Sequence, residues 1–120
     1  MNQLSPYLYF GGNCQDVIDF YKEALGAEVE MLMRFKDSPD PIPEEHRYPG
    51  YEEHVMHATL CIGNTQLFVS DGCEQEVKHE GFSLSLTYAS TKKADEAFTA
   101  LAKDGEVKMP LAATFWSPYF

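Results

Sequence analysis

The residues of this 120-residue chain that could do chemistry gather around two histidines, His54 and His57, which directly follow Glu52 and Glu53. Histidines and carboxylates at short spacing are common metal ligands. The stretch "VMHATLCIG", however, is typical of a strand, and on a strand an offset of three places the two rings on opposite faces. The pair therefore cannot share one ion. His57 alone is predicted to be a hydrogen-bonding residue or a catalytic general base, with a purely structural histidine as an equal alternative.

Cysteine offers a second kind of chemistry. Cys61 could act as a nucleophile only beside a base, and Thr59 and His57 on its predicted face make that arrangement feasible without specifying it, so a structural thiol is favoured. The three cysteines of the chain have no C-x-x-C spacing, which argues against a disulfide framework and a structural zinc site. The tripeptide "SDG" at residues 70–72 is typical of a turn before it is typical of a catalytic pair.

The charge balance excludes several classes of partner. Nine basic and nineteen acidic residues give a formal net charge of −10, which repels nucleic acid and anionic lipid. No apolar run approaches the roughly 20 residues that cross a bilayer, and the N-terminus lacks the basic start of a signal peptide. We therefore expect a cytoplasmic protein with no nucleic-acid or membrane partner.

The first half of the chain predicts the order strand, helix, strand, strand, strand. The stretch "NCQDVIDFYKEALG" has helical periodicity, with Asn13 as a candidate N-cap and Gly26 as a left-handed residue past the end. The stretches "PYLYF" before it and "AEVEMLMRF" after it are extended in pattern. Two further strands, "VMHATLCIG" and "QLFVSDG", are joined by Gly63-Asn64, which suits a tight hairpin.

The second half begins the same pattern again. "FSLSLTY" alternates like a half-buried strand, and Ser90 or Thr91 can cap a second helix that Gly105 ends. "EVKMPLAATFWSPYF" then predicts a further extended segment. Residues 36–54 interrupt the first half and contain four prolines, which exclude a regular helix or a central strand. A loop this long in a compact domain often has a function, so this segment is predicted to be a lid or rim.

The chain resembles the PhnB-like branch of the vicinal oxygen chelate superfamily, which includes glyoxalase I, bleomycin resistance proteins and extradiol dioxygenases. The resemblance rests on "DVIDFYKEALGAEV", "HATLCIGNTQLFVSDG" and "TFWSPYF". It implies an α+β fold in which paired βαβββ modules form a curved mixed sheet around a cavity, with helices outside. Members of the family continue with two more strands, so we expect one domain, 1–120, with module one at about 1–73 and an incomplete module two at about 81–120. A partner chain that covers the gap and a truncated sequence are both open explanations.

Within that fold, the more apolar face of each strand is expected to pack against the helices and the less apolar face to line the cavity. This places His57, Thr59 and Cys61 in the cavity from one strand, and Ser83, Ser85 and Thr87 from another. Trp116 could stack on a flat ligand. Small polar groups beside one imidazole suit the binding of a modest-sized organic molecule.

Metal-dependent chemistry is a weaker expectation. The resemblance implies ligands on the first and last strands of each module, but the matching positions fall at Pro6 and about Ser83, and the fourth strand has no carboxylate before Asp71. No cofactor is therefore predicted, and a divalent metal stays an alternative without matched ligands. Labels in this branch sometimes mention a methyltransferase, yet "FGGNC" lacks the G-x-G-x-x-G spacing that cradles a nucleotide-type cofactor.

The function that follows is a homodimeric protein that binds a small organic molecule, with enzyme activity undecided. One alternative is a metal-dependent lyase or dioxygenase of the same superfamily. The other is a drug-sequestering protein that resembles the bleomycin resistance members and holds a cationic ligand between subunits. The net charge and the aromatic segment at the end of the chain favour the second alternative over the first.

Overall fold

A computed structural model describes residues 3–72, 76–117 and 119–120. These residues form two compact units, one that ends at His79 and one that begins at Glu80. The first unit contains strand β1 (Tyr7–Phe10), helix α1 (Cys14–Leu25), and strands β2 (Glu28–Arg34), β3 (Val55–Ile62) and β4 (Thr65–Asp71). The second unit contains helix α2 (Thr91–Ala102). Neither helix, within the described ranges, is long and apolar enough to cross a membrane.

The four strands of the first unit form one mixed sheet in the order β1-β4-β3-β2. β1 runs parallel to β4, whereas β4 with β3 and β3 with β2 are antiparallel. The β3–β4 hairpin turns at Gly63, whose φ of 60° lies in the left-handed region that glycine adopts without strain. The predicted βαβββ order of the first half is confirmed, and the sheet is open in the described residues.

Helix α1 covers one face of this sheet. Its apolar stripe meets the alternate residues of the strands that point toward it, because strand side chains alternate between faces. The buried cluster consists of Leu8, Cys14, Ile18, Val55, Ala58, Leu60, Leu67 and Val69. The helix ends at Gly26, which is left-handed and donates its backbone N–H to Lys22, as the sequence predicts.

The start of α1 differs from the prediction. Asn13 makes no side-chain capping bond. Instead Asp71, at the end of β4, accepts hydrogen bonds at Oδ1 from the backbone N–H groups of Gly12 (2.8 Å) and Cys14 (3.0 Å). Its Oδ2 accepts from Val55 N–H at 3.0 Å, and Asp71 is only 3% exposed. The carboxylate thus ties α1, β3 and β4 together, and residues 70–72 end a strand where their sequence suggested a turn.

The proline-rich segment between β2 and β3 is folded. It contains three short 3-10 turns, at Phe35–Asp37, Glu44–His46 and Tyr51–Glu53. Arg34 Nη1 donates to the backbone oxygen of Glu53 at 2.8 Å, and Tyr48 Oη lies 2.7 Å from His54 Nδ1. These contacts make the segment a fixed rim, while its use as a lid stays a prediction.

The second unit keeps its predicted helix but not its predicted strand. Ser90 caps α2 by accepting a hydrogen bond from Lys93 N–H at 3.2 Å. Leu84, Leu86 and Tyr88 line an apolar groove together with α2, so the alternation of residues 82–88 is used for packing. These residues nevertheless form no strand, which corrects the prediction of a fifth strand. A strand needs a hydrogen-bonded neighbour, and no described segment pairs with this one.

The described residues of the aromatic segment, 114–117 and 119–120, make backbone hydrogen bonds with one another and with Ala112, where an extended segment was predicted. Ala112 and Phe120 exchange backbone hydrogen bonds of 2.9 and 2.7 Å, and Thr114 N–H donates to Ser117 O at 2.8 Å. Trp116 packs edge-on against Phe115 and Phe120, with ring centroids 4.7 and 5.3 Å away. It is still 57% exposed.

Candidate ligand-binding face of the sheet

Among the described residues of the first unit, no helix covers the sheet face opposite α1, and we call this face the open face. Its members follow from the register, in which Tyr7 and Thr59 both lie opposite Phe68, and Met31 lies opposite Thr59. Alternation along each strand then gives the full set. The open face consists of Tyr7, Tyr9, Glu28, Met31, Met33, His57, Thr59, Cys61, Gln66, Phe68 and Ser70.

His57 occupies the centre of this face and has a polar neighbour on each side of its ring. Tyr7 Oη lies 3.1 Å from Nδ1, and Thr59 Oγ1 lies 3.4 Å from Nε2. Tyr7 comes from β1 and reaches across β4 to a histidine on β3. The contact is therefore made by the sheet topology, and nothing in the local sequence around His57 announces it.

Aromatic rings surround the imidazole and form what we call the aromatic floor, which consists of Tyr7, Tyr9, His57 and Phe68. Tyr7 stacks on Tyr9 with centroids 4.7 Å apart and an interplanar angle of 25°. His57 lies 5.5 Å from Phe68 and 5.6 Å from Tyr7. Tyr7 and Tyr9 remain 41% and 52% exposed. Flat rings with free faces are suited to stacking on another flat molecule.

Strand β2 adds two methionines to the open face, which corrects the expectation that its more apolar side packs against the helices. The register shifts between Val29 and Met31, so Glu30 is an extra residue in the strand. After such a bulge the side chains that follow exchange faces. Met31 then lies opposite Thr59, and Met33 lies opposite His57. The open face is consequently more apolar than the sequence predicts.

Cys61 lies on the open face but is not an activated thiol. Burial raises its pKa, and the nearby carboxylates of Glu30 and Glu28 raise it further. Its Sγ donates a hydrogen bond to the backbone oxygen of Gly63 at 3.3 Å. A thiol whose pKa is raised stays protonated at neutral pH and is a poor nucleophile. The structural interpretation of Cys61 is the one that these contacts support.

One end of the open face is acidic. Glu28 lies opposite Cys61, and Glu30 accepts a hydrogen bond from Gln66 at 2.9 Å. Within the described ranges the one ion pair joins Lys36 and Glu53, so neither glutamate is neutralised by a basic side chain there. This end would favour positive charge in a bound molecule.

The polar side chains predicted to line the cavity are only partly brought together. His57, Thr59 and Cys61 share the open face. Ser83, Ser85 and Thr87 belong to the second unit, where they are exposed, as is Trp116. Their part in ligand binding stays a prediction. Sequence reasoning missed Tyr7 and Tyr9, although the alternation in "PYLYF" places both on the side away from Leu8.

Apart from the open face, a pocket of about 440 Å³ lies beside the start of α1. It is lined by Phe10, Gly11, Asn13, Val77 and His79. His79 Nε2 is 2.6 Å from the backbone oxygen of Tyr9. Helix starts often bind anions through free N–H groups. Here the N–H groups of Gly12 and Cys14 already donate to Asp71, so this pocket is not an anion site of that kind.

The glyoxalase-like proteins that the sequence resembles include metal enzymes, which hold a divalent ion with several histidine and carboxylate side chains. No three histidine, cysteine, aspartate or glutamate side chains come together in residues 3–72, 76–117 and 119–120. Around His57 the neighbours are a phenol, a hydroxyl and apolar rings, which are not the set that holds a divalent ion. The described residues therefore do not fit a metal centre.

The sequence and the fold of this chain are similar to those of known proteins. The chain is similar to protein YjdN of Escherichia coli (strain K12), with 32% identity over 98% of this chain and 84% of that protein. The solved structure of protein PA1353 from Pseudomonas aeruginosa matches with a TM-score of 0.85 and 36% identity, covering 100% of this chain and 86% of that one.

A Bacillus cereus structure described as a putative 3-demethylubiquinone-9 3-methyltransferase, PhnB protein, matches with a TM-score of 0.69. Its identity is 23%, over 98% of this chain and 87% of that one, so this likeness supports the fold alone. The family model described as Glyoxalase/Bleomycin resistance protein/Dioxygenase superfamily matches residues 3–120. The chain belongs to the glyoxalase/bleomycin resistance protein/dioxygenase superfamily.

Proposed function

We propose that this protein binds a small, flat organic molecule on the open face of its sheet. The observation that carries the proposal is the half-exposed aromatic floor with a hydrogen-bonded imidazole at its centre. Stacking on Tyr7 and Tyr9 would supply affinity, and the tyrosine hydroxyls beside His57 would fix orientation, while Thr59 is buried beneath them. Met31 and Met33 would adapt to the outline of the ligand because methionine is flexible.

Binding is better supported than catalysis. Both ring nitrogens of His57 already have polar neighbours, and the pKa of Cys61 is raised by burial, so neither group is a prepared base or nucleophile. The metal-dependent lyase or dioxygenase lacks a donor set in the described part of the chain. A ligand-binding role for Ser83, Ser85, Thr87 and Trp116 is a separate part of the proposal, which concerns the second unit by itself.

The drug-sequestering alternative is favoured by one specific observation. Glu28 and Glu30 stand at the end of the open face without a basic partner in the described ranges, and the chain carries a net charge of −10. A cation placed between aromatic faces and carboxylates gains from both. A cationic aromatic ligand would therefore bind near Cys61, at the acidic end.

The proposal includes a cytoplasmic location and a homodimeric assembly. Support comes from exposed apolar side chains on the open face and in residues 82–86, which a second copy would shield from water. Sedimentation at micromolar concentration tests the assembly. A monomer that stays monodisperse at high concentration would contradict this part of the proposal without touching the ligand-binding part.

A binding screen with flat aromatic amides and the matching aromatic amines tests the function. Members of the amide series should bind, and His57→Ala should weaken their binding at least ten-fold, a loss of about 1.4 kcal/mol. His46→Ala is the matched control, because His46 lies in an exposed turn of the rim. Preferential binding of the amines would favour the drug-sequestering alternative, and no binding by either series would sink the proposal.

A further inference from the structure

We infer that Tyr7 is a positioning residue that holds His57 in the tautomer with its proton on Nε2. The tautomer is a property of the free protein. What it means for a ligand rests on the proposed function. The inference departs from the sequence-based interpretation of His57 as a general base, because in this tautomer the free lone pair of the ring is already occupied.

The argument begins with the two contacts of the ring. A neutral imidazole has one N–H donor and one acceptor nitrogen. Nδ1 lies 3.1 Å from the Tyr7 hydroxyl, and Nε2 lies 3.4 Å from the Thr59 hydroxyl. The two hydrogen bonds must therefore run in one direction, either from Tyr7 through His57 to Thr59 or the reverse.

The chemistry of the two hydroxyls selects the first direction. A phenol is the more acidic hydroxyl and the stronger donor, with a usual pKa of about 10, while its oxygen shares electron density with the ring and accepts weakly. An aliphatic hydroxyl such as that of Thr59 is the better acceptor. The shorter contact is the one to Tyr7, as expected where the stronger donor meets the ring nitrogen.

The surroundings do not oppose this arrangement. The ring neighbours of His57 are Tyr7 on β1 and Phe68 on β4, and Met33 lies opposite it on β2. None of these side chains carries a charge at neutral pH. A neutral ring therefore sets its tautomer through the two hydroxyls alone, and the geometry of the sheet decides which hydroxyl faces which nitrogen.

The consequence is that both ring nitrogens of His57 have their partners within the protein. His57 Nε2–H donates to Thr59 Oγ1, and Thr59 is only 7% exposed. A molecule stacked on the aromatic floor would therefore contact the imidazole through its ring and not through a free nitrogen lone pair.

Nuclear magnetic resonance of the free protein tests the tautomer without any ligand. Protein labelled with 15N-histidine is examined at about pH 8.5, where imidazoles are neutral, by long-range 1H–15N correlation. Wild-type protein should show His57 Nδ1 unprotonated and Nε2 protonated. Tyr7→Phe should move both nitrogen shifts toward the averaged values of mixed tautomers, because the donor to Nδ1 is lost.

Three comparisons make the test specific. Tyr9→Phe is the matched control, since Tyr9 stacks on Tyr7 but has no contact with the imidazole, and it should leave the His57 pattern unchanged. Thr59→Val should keep Nδ1 unprotonated, because Tyr7 still donates to it. The signals of His54, which lies against Tyr48 in the rim, report whether each variant is folded.

Two outcomes would overturn the inference. One is a wild-type His57 with its proton on Nδ1, and the other is a folded Tyr7→Phe protein with unchanged His57 shifts. These outcomes differ from a failure of the proposed function. If the protein binds no ligand but His57 shows the expected tautomer, the proposed function fails and the inference on Tyr7 stands.

Discussion

The two faces of the four-stranded sheet differ in what their side chains are used for. On the face that α1 covers, Ala58, Leu60 and Val69 are fully buried. On the open face, Tyr7, Tyr9 and Met31 lie on the two edge strands β1 and β2 and remain about half exposed, whereas Thr59 and Ser70 on the central strands are buried. His57 and Ala58 are neighbours in sequence and point to opposite sides. Adjacent residues of one strand can therefore differ in role, one contributing to the core and the next to ligand binding. Substitutions on the two faces should have different effects.

The largest effect is expected from Asp71→Ala on the covered side. The substitution leaves three backbone N–H groups, those of Gly12, Cys14 and Val55, without their acceptor. A buried group that loses its partner costs about 1 to 3 kcal/mol, so the free energy of unfolding should fall by about 4 kcal/mol in urea denaturation. Asp37→Ala removes an exposed carboxylate that accepts only Arg34 N–H, and it should cost less than about 1 kcal/mol. Equal decreases in the free energy of unfolding for the two variants would contradict the stabilising role of the Asp71 hydrogen bonds.

The next effect compares adjacent residues on opposite faces. Leu60→Ala removes a fully buried side chain and should lower the free energy of unfolding by about 3 kcal/mol. Cys61→Ala, one residue further on, removes a partly exposed thiol and should cost less than about 1 kcal/mol. Thermal or urea denaturation of the two variants measures the contrast. A larger decrease in the free energy of unfolding for Cys61→Ala than for Leu60→Ala would show that the open face is the one packed as a hydrophobic core.

A smaller effect depends on pH. Burial raises the pKa of Cys14 from 9.0 to about 12, with a further contribution from the charge of Asp71. Above pH 9 the unfolded chain therefore releases a proton that the folded protein keeps, so stability decreases as pH rises. The loss should be about 1 kcal/mol per pH unit. Burial also raises the pKa of Tyr21, so urea denaturation at about pH 8, 9 and 10 is compared with Cys14→Ala, which should show a shallower slope. Equal slopes would show that Cys14 is not the group responsible.

The smallest effect on stability is expected on the open face itself. Tyr9→Ala should change the free energy of unfolding by less than about 1 kcal/mol, because half of the side chain is already in water. Binding of an aromatic amide should nevertheless weaken, since a stacked ring is worth about 1 kcal/mol. Urea denaturation and titration of the same protein measure the two effects. A strongly destabilised Tyr9→Ala protein with unchanged binding would reverse the assignment of the faces.

The first half of the fold could be predicted because local pattern and tertiary structure agree there. Apolar periodicity gave α1, alternation gave β3 and β4, and Gly26 and Gly63 marked turns that the structure contains. Strand 82–88 was predicted on equally clear alternation and is not formed, because alternation specifies which side is apolar but does not supply a hydrogen-bonded neighbour.

The site was predicted in part for a related reason. The faces of His57, Thr59 and Cys61 follow from period two alone. The contact between Tyr7 and His57 joins residues 50 positions apart, and no local pattern encodes it. The methionines of β2 were assigned to the wrong face because one extra residue at Glu30 reverses the alternation. The capping role of Asp71 is likewise long-range, so the cap was assigned to the local candidate, Asn13.

Selective methyl labelling tests the central claim most directly, because Met31 and Met33 lie on the open face, opposite Thr59 and His57. Met109 lies in the second unit and serves as the reference. Protein labelled with 13C-methyl methionine is titrated with the tightest aromatic amide from the screen. The open-face account predicts that the Met31 and Met33 methyl signals shift while Met109 stays in place. Unchanged Met31 and Met33 signals in the presence of a bound amide would contradict it.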